Sequence, residues 1–411
     1  MMALPKGAGL EELARAYFAR QGFLAIRSVS IQFEDEEVTD VDVWLYGRQG
    51  GGVRTRALVD VKDKKSPKAY ERIMWVRGMQ LALGCDRAVV TTTDTNAKVN
   101  RFAQQQKVTL LTAAFLRRWN DGDDLLRDRL SLEELNANIQ SYAGHKQDGD
   151  WIKQIAAAKS AVVSLAPYPA FNKAIRSFRF FAERAATRPQ HREQALRGAF
   201  LSAALACMAL DAALEKLAFE EPSARHDLLY AGVTYGDSGD NRVQESIETV
   251  LSVISKGVKN GRVIARQTSD ALQEMFTGVR AGIIADFFAK EQNSGHLFTV
   301  ARELESRAHA RARPDLVGLS IEAKSIIGVL ADFVGAKRPA LMSSDFVTSS
   351  PASSLPAAAS HSLAAASAPK SSSPVAETNS EVAPTGRDGP LSANPVSESE
   401  EREIDPNPKL L

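Results

Sequence analysis

The sequence predicts an α/β domain with a mixed central sheet over residues 1–125, an all-α domain over 126–340 and a disordered Ala/Ser/Pro-rich tail over 341–411. Three observations predict it. Runs with a two-residue apolar period alternate with helical patterns as far as Trp119. From Ser131 to about Ala340 the apolar residues recur at three and four. Nine of the 17 prolines lie after residue 350, in text with a single aromatic residue beyond Met342, Phe346, too little apolar surface to offset the entropy of ordering.

Residues 9–21 read as an amphipathic helix, with Leu10, Leu13, Ala14, Tyr17 and Phe18 on one stripe, Glu11 beside it and Gly22 ending it. A strand from Ala25 to Phe33 leads through the acidic turn EDEE into Thr39 to Lys62, TDVDVWLYGRQGGGVRTRALVDVK. Two alternating runs flank a glycine-rich turn there, the pattern of a β-hairpin. Beyond it Pro67 suits the first turn of a helix whose core face is Tyr70, Ile73, Met74, Val76 and Leu81. Arg87 to Thr93 is a β-branched strand, Asn96 to Gln106 a helix, Val108 to Thr112 a strand and Ala113 to Trp119 a short helix. Three antiparallel strands followed by strand–helix–strand units make a mixed sheet.

The hairpin carries the chemistry. Side chains two apart share a face, so Asp40 and Asp42 go together, as do Asp60 and Lys62. A turn centred on Gly51 sets Asp42 across from Asp60 and Asp40 across from Lys62. Opposed like charges on neighbouring strands cost stability. A divalent cation removes that cost, and carboxylates around a hard cation that keeps several waters is the ligand chemistry of Mg²⁺. Residue pattern alone is equally satisfied by a strand pair with a solvated outer face.

Composition sets the surroundings. The chain is 44% hydrophobic and 25% charged with a net charge of +1, ordinary globular material. Residues 1–120 carry an excess of basic over acidic residues, compatible with a polyanion. Two distant cysteines, Cys85 and Cys207, support neither a disulfide framework nor a cysteine metal site, which fits a reducing cytoplasm. The start of the chain lacks the apolar core of a signal peptide, and the 13-residue run GAFLSAALACMAL is too short for a span of about 20 residues, so a buried helix and no membrane partner are expected.

These residues resemble a known group, the PD-(D/E)xK nuclease superfamily with its restriction-endonuclease-like fold. D-V-D-V on the second strand and V-D-V-K on the third carry the resemblance, together with the order of elements. KGAGLEELARAYFARQGF, Lys6 to Phe23, is similar to the opening of Mrr-type restriction nucleases and archaeal Holliday-junction resolvases, with Glu11 at the place of a helix glutamate before Gly22-Phe23. The resemblance implies catalytic residues Asp42, Asp60, Lys62 and Glu11, with Asp42, Asp60 and Glu11 holding Mg²⁺ or Mn²⁺, and DNA as substrate. Asp42 is favoured over Asp40 because Val43-Trp44 after it resembles the family's strand and because it faces Asp60. Asp60 stands where glutamate is commoner, and no proline precedes either aspartate. The reading is a metal-dependent endodeoxyribonuclease in restriction or defence. The alternative is a non-catalytic DNA-binding or scaffolding protein that keeps the fold and uses Lys64, Lys65, Lys68 and Arg72 for phosphate contacts.

The all-α domain has no family resemblance. Helices are expected over Ser131 to Tyr142, Asp150 to Leu165, Phe171 to Ala186, His191 to Phe219, Arg242 to Gly257, Val263 to Lys290, Leu297 to Ala310 and Leu316 to Val334. Arg176, Arg179 and Arg184 are read as a solvated face before a nucleic-acid one. Gly236-Asp237-Ser238-Gly239 is a polar loop. PDLVGLSIEAK, Pro314 to Lys324, spells a second acidic motif but falls on a helical stripe and is read as a helix start. The six histidines have no ligand spacing. Target selection or a homodimer through this region is the expected role, with residues 1–120 folding by themselves.

Overall fold

Each strand of the central hairpin has two apolar faces, and the fold covers both. The computed structural model describes residues 7–33, 36–49, 52–65, 67–120 and 128–342; the tip of the hairpin turn and the tail beyond Met342 lie outside the described residues. Strands β1 (Leu24–Phe33), β2 (Glu36–Arg48), β3 (Arg54–Lys62), β4 (Arg87–Thr92) and β5 (Thr109–Thr112) lie side by side in chain order. The first three are antiparallel; β3 with β4 and β4 with β5 are parallel. Helix α1 (Ala8–Arg20) precedes β1, α2 (Ala69–Ala82) joins β3 to β4, α3 (Ala97–Gln105) joins β4 to β5, and α4 (Ala113–Asn120) closes the unit. This is the mixed sheet expected. Val43 pairs with Val59 and Arg48 with Arg54, the register that a turn at Gly51 dictates.

On one face Val43, Leu45, Ala57, Val59, Val61 and Val89 pack with Leu10 and Ala14 of α1 and Ala113 and Leu116 of α4. Phe23, just past the Gly22 that ends α1, lies over Gly47 so closely that a Cβ there would come within 2.8 Å of its ring. The other face, with Leu24, Ile26, Trp44, Tyr46 and Leu58, belongs to a core that runs on into the helical region. Of α2, Ile73 and Val76 enter that core, while Tyr70, Met74 and Leu81 are exposed. The expected face was too wide, because the helix begins at Ala69, after Pro67, and turns only a narrow stripe inward.

The helical region comprises α5 (Leu132–Gln140), α6 (Trp151–Ser164), α7 (Pro167–Thr187), α8 (Arg192–Ala213), α9 (Pro222–Tyr235), α10 (Gly239–Gly257), α11 (Gly261–Thr277), α12 (Ala281–Phe288), α13 (Glu291–Ser294), α14 (Leu297–His309), α15 (Ile321–Val334) and α16 (Arg338–Met342). Ser131 and Glu134 close a reciprocal capping box on α5. The apolar run 198–210 is the middle of α8, buried along its length and packed between α7 and α14. Helix α9 was not expected: its apolar residues are smeared around it, with Leu229 and Val233 buried and Leu228 and Tyr230 exposed. The stretch read as one helix from Val263 to Lys290 breaks after Thr277 at Gly278. Helix α15 starts at Ile321, later than Leu316, because Ser320 caps it by accepting the Ala323 N–H. Leu316 and Leu319 are buried all the same, in the turn before it.

Sheet and helices are joined by more than contact. Among the described residues they lie in one compact unit. Helix α6 packs on β1, and the Tyr46 ring meets Phe298 of α14 at 5.9 Å. Asp211 of α8, fully buried, accepts the Tyr46 hydroxyl at 2.6 Å and two N–H groups of Arg54 at 3.2 Å, with Arg48 at 3.3 Å. Arg302 of α14 donates to the Ala19 carbonyl at the end of α1. The sequence reading in which residues 1–120 fold alone is not what this packing favours.

Candidate active site

A local irregularity of β1 and β2 lies beside the site, where the β2–β3 ladder also ends. On β1 and β2, Arg27 pairs with Val43 and Val29 with Val41, but Ser28 and Asp42 between them do not pair. Ser28 has left-handed backbone, φ 52°. At that point the apolar set of each strand steps by three: Ile26 then Val29, and Val41 then Trp44, enter the same core. The register is the same on both sides of this point and shifts between Ile31 and Gln32. The β2–β3 ladder ends at Val43 and Val59. Instead of a further backbone bond, Asp42 Oδ2 accepts the Val61 N–H at 2.6 Å.

Asp60 and Lys62 stand on the same face of β3, and the sheet's parallel half holds them by pairing Asp60 with Val90 and Lys62 with Thr92. Lys62 Nζ lies 3.2 Å from Asp42 Oδ2 and 3.2 Å from Asp60 Oδ1. The three groups expected from β2 and β3 therefore meet. Asp60 is 2% exposed, whereas Lys62 keeps a quarter of its side chain open to solvent. Asp40, the other aspartate of the alternating run, is exposed and pairs with Ser30 on β1, away from the cluster.

Burial pushes the Asp42 carboxyl up to about 6, against the pull of Lys62 and the Val61 N–H, and the charges of Asp60 and Glu11 push the same way. For Lys62 burial acts downward, but the two carboxylates outweigh it and hold the ammonium above its ordinary range. A charged lysine therefore bridges two carboxylates, one of them poorly solvated. Among the described residues no set of three His, Cys, Asp or Glu side chains is gathered around one point. A cation here would have Asp42 and Asp60 as protein ligands and complete its shell with water, a donor set that suits Mg²⁺ or Mn²⁺.

Glu11 is placed differently from a third ligand. Arg27 of β1 donates to its Oε2 at 2.8 Å, and the same guanidinium binds Glu12 at 3.1 Å and Glu133 at 3.0 and 3.2 Å. Glu11 reaches Asp42 through its charge and is held by Arg27. Sequence reasoning missed Arg27, whose only signal was a charge inside an apolar strand. It also missed the part of Arg72, which lies one helical turn into α2. Arg72 grips Asp60 with two N–H groups, Nε at 2.9 Å from Oδ2 and Nη2 on Oδ1, and its guanidinium lies 4.2 Å from the Trp75 ring. Lys64 and Lys65 are exposed near the end of β3, and Lys68 pairs with Glu71.

The remaining candidates fall elsewhere. Arg179 pairs with Glu183, Arg184 with Asp148 in the turn before α6, and Arg176 donates to the Asn172 carbonyl, so each of the three is engaged within the chain. Asp237 of the Gly-Asp-Ser-Gly loop accepts the Tyr168 N–H near the start of α7. Lys324 donates to the Val317 carbonyl, local to its own turn. Cys85 and Cys207 are free and buried.

Residues 5–120 match the model of the Mrr catalytic family, described as restriction endonuclease. With a five-stranded mixed sheet and its flanking helices over that range, the N-terminal domain has the restriction-endonuclease-like fold that the sequence resembled. No curated protein and no solved structure matches the chain.

Proposed function

We propose that the N-terminal domain is a Mg²⁺- or Mn²⁺-dependent endonuclease that hydrolyses phosphodiester bonds in DNA, acting in the cytoplasm in restriction of, or defence against, foreign DNA. The observation that carries this reading is the meeting of Asp42, Asp60 and Lys62, at contacts of 3.2 Å, where β2 and β3 cease to pair. A divalent cation held by the two carboxylates supplies charge for the phosphoryl oxygens and acidifies a water. The chain's own groups do the rest. The Val61 N–H fixes Asp42 by one oxygen, and among the described residues the other makes no hydrogen bond. Lys62, charged and solvent-accessible, is placed to donate to a phosphate oxygen or to orient the attacking water. Asp42, with its carboxyl near 6, is ionised at neutral pH and unrelieved by solvent, which favours a cation beside it. Cutting both strands in one encounter needs two such sites, which a pair of copies supplies.

Plasmid cleavage with Mg²⁺ by the wild type, Asp42→Ala and Lys62→Ala tests this. Activity lost in both variants is expected; equal cutting by all three would remove the assignment. One observation favours a second reading, a DNA-binding protein with a silent site: both oxygens of Asp60 are taken by Arg72 and Lys62. On that reading calorimetry detects no Mg²⁺ or Mn²⁺ binding that Asp60→Asn abolishes, while DNA binding persists.

A further inference from the structure

Arg72 occupies the carboxylate that a cation at this site would need. It grips both oxygens of Asp60, with Nε at 2.9 Å from Oδ2 and Nη2 on Oδ1, and Lys62 Nζ lies 3.2 Å from Oδ1 as well. Asp60 is 2% exposed, while the side chains of Arg72 and Lys62 are each 25% exposed, so a buried carboxylate is covered by two cations that themselves reach solvent. The two cations also repel each other: the charge of Arg72 acts against that of Lys62.

The charges of the cluster decide what can enter it. Asp42 and Asp60 against Lys62 and Arg72 sum to zero, and Glu11, the next acid to act on Asp42, is tied to Arg27. A divalent cation added to that neutral set leaves a poorly solvated cluster with an uncompensated double charge, which is unfavourable. Two changes relieve it: a basic group leaves the carboxylate, or an anion arrives. A phosphate that draws the basic group away does both.

Of the two cations Arg72 is the one able to leave. Lys62 lies within the paired length of β3, opposite Thr92 of β4, and bridges both aspartates. Arg72 stands one turn into α2, and among the described residues its side chain donates to Asp60 alone. Its guanidinium lies 4.2 Å from the ring of Trp75, which packs against the core. The indole is a fixed platform on which a planar guanidinium can turn from one partner to another. The new partner needs no new geometry, because a fork of two N–H groups that fits a carboxylate also fits two oxygens of a phosphate. Lys64 and Lys65, in the segment joining β3 to α2, add exposed positive charge.

We propose that Arg72 is a substrate-operated gate on the metal site: it holds Asp60 until a DNA phosphate takes the guanidinium, and the exchange releases Asp60 to a divalent cation. The proposal rests on the reading of Asp42, Asp60 and Lys62 as a metal-dependent nuclease site and adds coupling to it. Phosphate frees the carboxylate and the cation replaces the charge that left, so each raises the other's affinity by the same factor. Arg72 therefore supports DNA binding when a cation is present and not in its absence. The doubly engaged Asp60 that favours a silent site is, on this account, the closed state of a working one.

Fluorescence anisotropy of a short labelled duplex on the full chain tests this, in chelator and in Ca²⁺ at matched ionic strength, with the duplex checked intact by electrophoresis. Ca²⁺ takes carboxylate and water oxygens as Mg²⁺ does. Wild-type affinity should rise about twentyfold on adding Ca²⁺. For Arg72→Gln, affinity in chelator should stay within about twofold of the wild type, and the gain from Ca²⁺ should shrink about fivefold; the cation's own contact with phosphate keeps it from vanishing. An equal loss with and without Ca²⁺ would make Arg72 a plain phosphate contact, and no change in either would leave it a partner of Asp60 alone. Both results overturn the inference, as does a wild type whose duplex affinity ignores Ca²⁺. A second readout needs no change at Arg72. The part of the tryptophan emission that Trp75→Phe removes should change when duplex and Ca²⁺ are present together and far less with either alone; a signal that stays flat refutes the exchange. The nuclease reading fails by a different result, equal plasmid cutting by the wild type, Asp42→Ala and Lys62→Ala. A wild type that cuts while Arg72→Gln keeps the whole Ca²⁺ gain removes the gate and leaves the nuclease standing.

Discussion

Replacing Asp42 with Asn should stabilise the metal-free protein at neutral pH, an unusual outcome for a buried carboxylate that accepts a 2.6 Å hydrogen bond. The carboxyl is pushed from 3.8 to about 6, chiefly by burial. A folded-state value above the unfolded one means that folding favours the protonated form. The associated stability is complete below pH 4 and is lost as the pH rises through 6. Two units correspond to about 3 kcal/mol at 1.36 kcal/mol each. Asn keeps the acceptor for the Val61 N–H and removes the charge. The variant should therefore exceed the wild type by only about 1 kcal/mol at pH 4.5 and by up to about 3 kcal/mol at pH 8, roughly 4 °C in Tm for a unit of this size. Lys62 loses a partner in the exchange, a loss already contained in the net shift. Mg²⁺ should erase the difference by stabilising the wild type and leaving Asp42→Asn unmoved. The assay is thermal unfolding at pH 4.5, 6 and 8, in chelator and in Mg²⁺. A variant less stable than the wild type by the same amount at every pH would show that Asp42 is held by Lys62 more than it is penalised by burial, and the electrostatic account of the site would fail.

Asp211→Ala should cost about 3–5 kcal/mol, because it leaves the buried Arg54 without its carboxylate; chemical denaturation measures it, and a loss below 1 kcal/mol would mean the joint between α8 and the sheet is dispensable. Arg72→Ala should lower metal-free stability and tighten Mn²⁺ binding several-fold by calorimetry, since Arg72 and Lys62 now share Asp60; unchanged affinity would show that Arg72 does not compete with the cation. Residues 1–120 alone should be poorly folded by circular dichroism, whereas deleting 343–411 should leave Tm within about a degree. A soluble, cooperatively melting 1–120 fragment would show that the α/β half needs no helical cover.

The α/β half was legible because its elements are short and punctuated. Alternation in Val41 to Leu45 and Ala57 to Val61, with glycines between, fixed both the hairpin and its register, and the register brought Asp42 to Asp60 and Lys62. Non-local facts were hidden. Trp44 and Leu58 looked like the outer face of a half-exposed pair, and nothing local says that α6, α8 and α14 would cover it. Arg27 and Arg72 were invisible as site residues because a guanidinium's partner is set by tertiary distance: Arg27 reaches Glu133 across 106 positions. Ser28 gave no signal of its left-handed backbone, so the irregularity opposite Asp42 could not be read. In the helical region periodicity found the striped helices and missed α9, whose apolar residues are spread around it.

The strand that carries Asp60 and Lys62 also carries the joint. Asp60 and Lys62 sit at one end of β3 and Arg54 at the other, six residues or roughly 20 Å from Asp60. At the Arg54 end the strand is pinned to Asp211, and its neighbour β2 is pinned there through Tyr46 and, by Arg48, to the Gly295 carbonyl. At the Asp60 end β2 and β3 have stopped pairing, and the position of Asp42 relative to Asp60 depends on one backbone N–H and one lysine. A paired, twice-buried strand is stiff along its length, so the Asp60 end, held by β4, inherits its orientation from the end fixed to Asp211. The helical region beyond residue 128 would thus orient the proposed site without lending it a ligand. A substitution at Asp211 that keeps the fold should then alter metal affinity at Asp42 and Asp60, a coupling that a self-sufficient α/β domain would not display.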